Sequence, residues 1–170
     1  MILVAHRGNL YGRQPERENS PEYLNEAINQ GYHVLADTWY YDHCFWFGFH
    51  HPKDTSLCYK PHVDWLPYAM NSVLLRARNP EALIKANELG LNAFWHQTDS
   101  YSLTTWGDLL GFYGAPACGE SFVCMMPHRE CSLVDDQYLD ELSGHHDQYA
   151  LCSDHAGSLV EYLNRNPALV

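Results

Sequence analysis

Apolar residues along this chain fall in short runs separated by polar loops, and several runs end on a charged or imidazole side chain. Residues 2–6, Ile2-Leu3-Val4-Ala5-His6, have the pattern of a short buried strand, and Gly8 to Asn19 is a polar loop containing Gly12 and Pro15. Ser20 is placed to cap a helix with Pro21 at its first position. Tyr23, Leu24, Ala27 and Ile28 repeat at helical spacing until Gly31 ends the run. Tyr32–Trp39 and Cys44–Phe49 then read as two strands joined near Asp42-His43 in a hairpin.

Residues 52–71, with Pro52, Pro61 and Pro67, carry no clear period. Ser72–Arg76 predicts another strand, and Asn79-Pro80-Glu81 repeats the cap-then-proline opening of a helix through Ala82, Leu83, Ala86 and Leu89, closed by Gly90. Ala93–His96, Leu109–Tyr113, Phe122–Met126 and Tyr149–Cys152 are further short strands, and a last helix spans about Gly157 to Asn164. No repeat, linker or low-complexity tract interrupts the alternation, so residues 1–170 read as one domain. Many short strands with few, well-capped helices predict an α/β fold: a small (β/α)8 TIM-type barrel with several helices shortened or missing. An open α/β sheet is the alternative.

Composition narrows the class. A formal charge of −11 with only ten Lys and Arg argues against general nucleic-acid binding, since phosphate neutralisation needs a basic surface, although a local basic pocket remains open. Six cysteines form no CxxC pair, which favours reduced, buried thiols over a zinc ribbon or disulfide framework. The first apolar run has no charged segment before it and no long hydrophobic stretch follows, so the expectation is a cytoplasmic protein without a membrane span.

The chemistry gathers at strand ends. In a barrel, His6, Asp37, His50, Arg76, Arg78, His96, His128 and Asp154 would converge on one face. Arg76 and Arg78, two residues apart, face the same side of a strand. His96 reads equally as a hydrogen-bonded core histidine, and His145-His146 as a solvated turn. The clusters Trp39-Tyr40-Tyr41 and Phe45-Trp46-Phe47 suit a buried strand face better than a base-stacking platform.

Val4-Ala5-His6-Arg7-Gly8, Glu18-Asn19-Ser20-Pro21-Glu22, the Gly31 to Asp37 spacing and Phe47-Gly48-Phe49-His50-His51-Pro52 together resemble short members of the glycerophosphodiester phosphodiesterase family. Phe94-Trp95-His96-Gln97 and Cys152-Ser153-Asp154 fit the same likeness. The broader group includes phosphatidylinositol-specific phospholipases C, and the resemblance implies a (β/α)8-type barrel, two catalytic histidines and a phosphodiester substrate. Three departures are plain. The family's Glu-x-Asp metal ligands appear as Leu35-Ala36-Asp37, its His-Asp as Phe49-His50-His51, and its Glu-x-Lys as Arg76-Ala77-Arg78. The histidine role falls to His50 after a one-residue slip, or Phe49 holds the position and the role is lost.

Two mechanisms follow from these residues. In the first, His6 and His50 exchange protons across a small phosphodiester while Arg7, Arg76 and Arg78 supply the charge that a metal would give, with Glu18 and Asn19 as further substrate-binding residues. Phospholipases C of the bacterial phosphatidylinositol-specific type are similar in using arginine this way. In the second, a metal ion of another kind is held by His6, His50 or His51, and His96 with Asp37 or Asp154. The competing class is a decayed or redesigned barrel that binds a phosphorylated ligand or partner without turnover.

Overall fold

Eight strands form a nearly closed, barrel-like sheet. The computed structural model describes residues 1–54, 57–61, 65, 69–112, 115, 122–125, 135–144 and 148–167. The strands are β1 (Ile2–His6), β2 (His33–Tyr41), β3 (Cys44–Phe47), β4 (Val73–Ala77), β5 (Ala93–Trp95), β6 (Tyr101–Leu103), β7 (Leu109–Phe112), β8 (Phe122–Met125) and β9 (Ala150–Ser153). The helices are α1 (Pro21–Asn29), α2 (Pro80–Glu88), α3 (Asp136–Ser143) and α4 (Ala156–Arg165). The sheet runs β5-β4-β2-β1-β9-β8-β7-β6, with β3 paired to β2 outside that path. All neighbours on the path are parallel except β6, which runs antiparallel to β7. Between β5 and β6 the edges meet through single bonds: Thr105 N donates to the Ala93 carbonyl at 2.7 Å and Ser102 Oγ to the Trp95 carbonyl at 2.8 Å.

Strand alternation sorts the core into an inside and an outside. Val4, Leu35, Leu74, Phe94, Leu110 and Val123 pack together within the sheet. Their sequence neighbours Ala5, Val34, Ala36, Val73 and Leu75 pack outward with Leu24 and Ala27 of α1 and Ala82 and Ala86 of α2. On the opposite flank, Cys124 and Leu151 meet Leu139 and Leu142 of α3 and Leu159 of α4.

Local signals explain most of these elements. Ser20 Oγ accepts from Tyr23 N at 3.2 Å at the start of α1. Asp42 and His43, both at positive φ, make the tight hairpin turn between β2 and β3. Asn79 behaves differently from the cap its sequence predicts: its side chain makes no cap bond and instead spans the Tyr40 backbone, accepting from N at 3.0 Å and donating to O at 2.9 Å. β2 extends two residues beyond Trp39 through pairing with β3, and β3 stops at Phe47, two residues short of the expected end. Helix α3 and strand β6 are additions to the sequence reading. His128, His145, His146, Cys118 and Cys131 lie outside the described residues.

The turn after β1 packs closely against α1. Gly8 sits at φ +90°, and a Cβ there would lie 2.9 Å from Tyr23 Cδ1 and 3.2 Å from the Tyr23 carbonyl oxygen. Gly8→Ala should therefore destabilise the fold by roughly 1–3 kcal/mol through backbone strain and the collision with α1. Denaturant unfolding measures it, and a midpoint equal to wild type would contradict this packing.

Candidate active site at the barrel mouth

Parallel strands bring their carboxyl ends to one side, and alternation decides which side chains arrive there. Two positions beyond the interior residues Val4, Leu35, Leu74, Phe94 and Cys152 stand His6, Asp37, Arg76, His96 and Asp154. The β2–β4 register sets Asp37 directly beside Arg76.

Beneath the mouth lies a buried ion network centred on Arg7. Its Nε donates to Asp37 Oδ2 at 2.6 Å and its Nη1 to Glu18 Oε2 at 2.9 Å. Asp37 is fully buried, and Arg7 and Glu18 are nearly so. Burial would lower the Arg7 pKa, but Asp37 and Glu18 outweigh it and the net shift is upward. Burial likewise pushes the Glu18 carboxyl up, yet the bonds from Arg13 and Arg7 win and its pKa falls below the ordinary value. Arg7 and Asn19 both adopt left-handed backbone, at φ 57° and 65°, and Asn19 Oδ1 accepts from Asp37 N at 2.8 Å. The loop and β2 are thus tied together at the carboxylate that matters most.

Asp37 also draws the other arginines. Its Oδ1 has no hydrogen-bond partner and faces Arg78 Nη1 at 3.7 Å and Arg76 Nε at 3.9 Å, and that Arg76 Nε is itself buried without a partner. Burial holds the Arg78 pKa below its ordinary value; Asp37 opposes the shift, while Arg76 and Arg7 add to it. These guanidiniums are gathered at ion-pair range without their hydrogen-bonding capacity being filled.

His6 is paired with a carboxylate at the mouth. Its Nδ1 lies 2.9 Å from Asp154 Oδ1, and since an ionised carboxylate only accepts, Nδ1 carries the hydrogen and Nε2 is left with the lone pair when the ring is neutral. Asn9 Nδ2 donates to the same oxygen at 2.7 Å and lies 3.1 Å from Glu18 Oε1, linking the histidine pair to the arginine network. Burial would raise the Asp154 pKa, but the bonds from His6 and Asn9 bring it below the ordinary value, so Asp154 stays ionised behind His6.

These groups surround a cavity of about 550 Å³ lined by His6, Arg7, Arg13, Arg76, Arg78 and Asp154, among others. Four of the chain's ten basic side chains thus face one cavity in a molecule of formal charge −11. Its remaining wall is apolar and aromatic, including Phe49, Phe94 and Trp95. Glu18, Asn19 and Asp37 do not line this cavity, in contrast to the substrate-binding role expected of Glu18 and Asn19: their side chains are held by Arg7, Arg13, Asn9 and the β2 backbone, and Glu18 and Asn19 border the second depression instead. His96 lines the cavity with its ring stacked on Phe112, centroids 3.5 Å apart, and its Nε2 is 2.8 Å from the Asp99 carbonyl.

His50 is exposed and borders a second depression, of about 450 Å³, on the other side of Phe49. His51 packs edge-on against Trp39 and Tyr41. Asn9, Arg13 and Phe49 belong to the site although sequence reasoning did not select them. Position immediately after His6-Arg7-Gly8 was the signal available for Asn9, and direct sequence adjacency to His50 the signal for Phe49.

The donor set does not fit a divalent metal ion. Among the described residues no group of three or more His, Cys, Asp or Glu is arranged to hold one. Asp37 gives one oxygen to Arg7 and turns the other toward two further guanidiniums, which would repel a dication. The described imidazoles do not gather into a nitrogen-rich set either, because His6 Nδ1 is engaged by Asp154, His96 Nε2 by a carbonyl, and His50 lies outside the cavity.

No family model, curated protein or solved structure matches the chain.

Two outcomes follow from the ion network. Arg7→Met leaves Asp37 and Glu18 buried with their shared partner gone, and should cost about 3–5 kcal/mol in chemical denaturation; an unchanged midpoint would mean the network does not hold the loop. Glu18 and Asp154 have folded-state pKa values below the ordinary ones. The unfolded chain therefore binds more protons through the acid range, and their stabilisation is fully present above the unfolded values near 4 and lost as pH falls through the folded ones. Thermal melts of Glu18→Gln and Asp154→Asn should show a flatter loss of stability between about pH 5 and pH 2 than wild type.

Proposed function

We propose that the barrel mouth binds and cleaves a small phosphodiester without a metal ion, on a reduced TIM-type barrel related to the glycerophosphodiester phosphodiesterases that the sequence resembles. The observation that carries this reading is the presence, in one cavity, of a histidine oriented by a buried aspartate and of arginines with unfilled hydrogen-bonding capacity. Around the cavity four guanidiniums stand against Glu18, Asp37 and Asp154, leaving one positive charge in excess while His6 is neutral. A phosphodiester, singly negative near neutral pH, matches that excess.

In the proposed step, His6 Nε2 accepts the proton of the attacking hydroxyl, either a neighbouring hydroxyl of the substrate or water. The bond from that oxygen to phosphorus forms as the bond to the leaving oxygen breaks, and the departing alkoxide takes a proton from solvent. A neighbouring hydroxyl gives a cyclic phosphate and an alcohol; water gives a phosphomonoester and an alcohol. Arg76 and Arg78 offer paired N–H groups to the phosphoryl oxygens as charge builds there, and Asp154 stabilises the imidazolium.

Binding without turnover is the second reading, and the position of His50 favours it. With that imidazole outside the cavity, the histidine expected to protonate the leaving group does not stand beside His6, so turnover would be slow for poor leaving groups.

Phosphorus NMR of glycerophosphodiesters and phosphoinositides incubated with the protein tests both. The expected result is turnover that survives chelator, falls at least about a hundredfold in His6→Ala and by a smaller factor in Asp154→Asn, with both variants folded. Chelator-sensitive turnover would overturn the metal-free mechanism, and binding with no His6-dependent turnover would make the second reading the correct one.

A further inference from the structure

Phe49 is an apolar side chain against which two of the site's guanidiniums pack. It is 43% exposed, yet the Arg78 guanidinium lies 4.4 Å and the Arg7 guanidinium 4.9 Å from its ring centroid. Its approach is fixed by the preceding residue: Gly48 N donates to the Asp37 carbonyl at 2.9 Å, and Trp39 Nε1 donates to the Gly48 carbonyl at 3.1 Å. Two like charges converge on one ring because its electron-rich faces attract both. A guanidinium lying on an aromatic face also keeps its edge N–H groups free to grip an oxyanion.

The ring is at the same time a partition. The 550 Å³ cavity holding His6 and Arg76 lies on one side and the 450 Å³ depression holding His50, Pro15 and Leu57 on the other, with Arg7 and Arg13 lining both. A diester has two organic arms leaving one phosphate, and the shared arginines mark where a phosphate can touch both compartments. A monoester needs only one.

We infer that Phe49 is a positioning and specificity-determining residue: it orients Arg7 and Arg78 toward the bound phosphate, and a diester straddles it with one arm in the barrel mouth and the other in the depression beside His50. This rests on the phosphate-ester reading of the mouth.

Calorimetric titration of the full chain with inorganic phosphate and with glycerophosphocholine tests it, with melts to confirm folding. Phe49→Leu keeps apolar bulk but removes the aromatic face, and should weaken phosphate about three- to tenfold; Phe49→Tyr should restore it. Phe49→Trp keeps the face and narrows the passage, and should leave phosphate within about twofold while weakening the diester at least about fivefold. Unchanged phosphate affinity in Phe49→Leu, or equal weakening of both ligands in Phe49→Trp, overturns the role of Phe49 while leaving the phosphate-ester reading intact. A wild-type protein that binds neither ligand overturns both.

Discussion

The pairing of Arg7 with the buried carboxylates of Asp37 and Glu18 is the interaction on which the rest of the site depends. Burying either carboxylate so far from water without a cation would be costly, and so would burying the guanidinium without them. Meeting both at once forces the Arg7 backbone into left-handed conformation and pins the following loop to the end of β2. Once the loop is pinned, Asn9 reaches Asp154 and Glu18 together, and the His6 pair is locked to the same frame. His6 and the arginine cluster therefore share one hydrogen-bonded support rather than two separate ones.

That arrangement also accounts for a basic cavity in an acidic protein. Buried carboxylates recruit guanidiniums from several segments: Arg7 from the β1 end, Arg13 from the loop, Arg76 from β4 and Arg78 just beyond it. Asp37 can satisfy only one of its three arginines at hydrogen-bond distance, so the other two remain under-bonded beside the opening. Under the proposed function, an anion entering there would complete contacts that the protein leaves open. Among the described residues that line the cavity, Asp154 is the one carboxylate against four guanidiniums.

Much of this was legible in sequence because it is written locally. Strand alternation, with a polar residue two places beyond an interior apolar one, identifies His6, Asp37 and Arg76, and Ser20-Pro21 fixes the start of α1. What was not legible depends on distance or on a single φ angle. His6 and Asp154 are separated by 148 positions, so no spacing announces their bond. Whether Phe49 or His50 turns inward is decided at Gly48, whose φ of 155° accompanies the break between β3 and the residues after it, and periodicity cannot see that choice. β6 escaped notice because its residues alternate exposed and half-buried on a short edge. Helix α3 had a signal, with Asp135 accepting from Tyr138 N and Tyr138, Leu139 and Leu142 sharing a face, but it spans only two turns.

The departures from the family pattern form a coherent set when charge is followed. Where the resembled family has Glu-x-Asp, Glu-x-Lys and a divalent ion, the chain has Leu35-x-Asp37 and Arg76-x-Arg78. Losing two carboxylates and a dication while gaining two guanidiniums for one lysine changes the local charge by only about one unit, so the phosphate would meet nearly the same field. The geometry of delivery differs more than the charge does. A metal ion polarises one oxygen at close range, whereas guanidiniums spread their donors over several oxygens and need an external surface to hold them in place. Asp37 supplies part of that hold from below and the Phe49 ring supplies it from above, which gives the aromatic residue a physical reason to stand where the family pattern expects an imidazole.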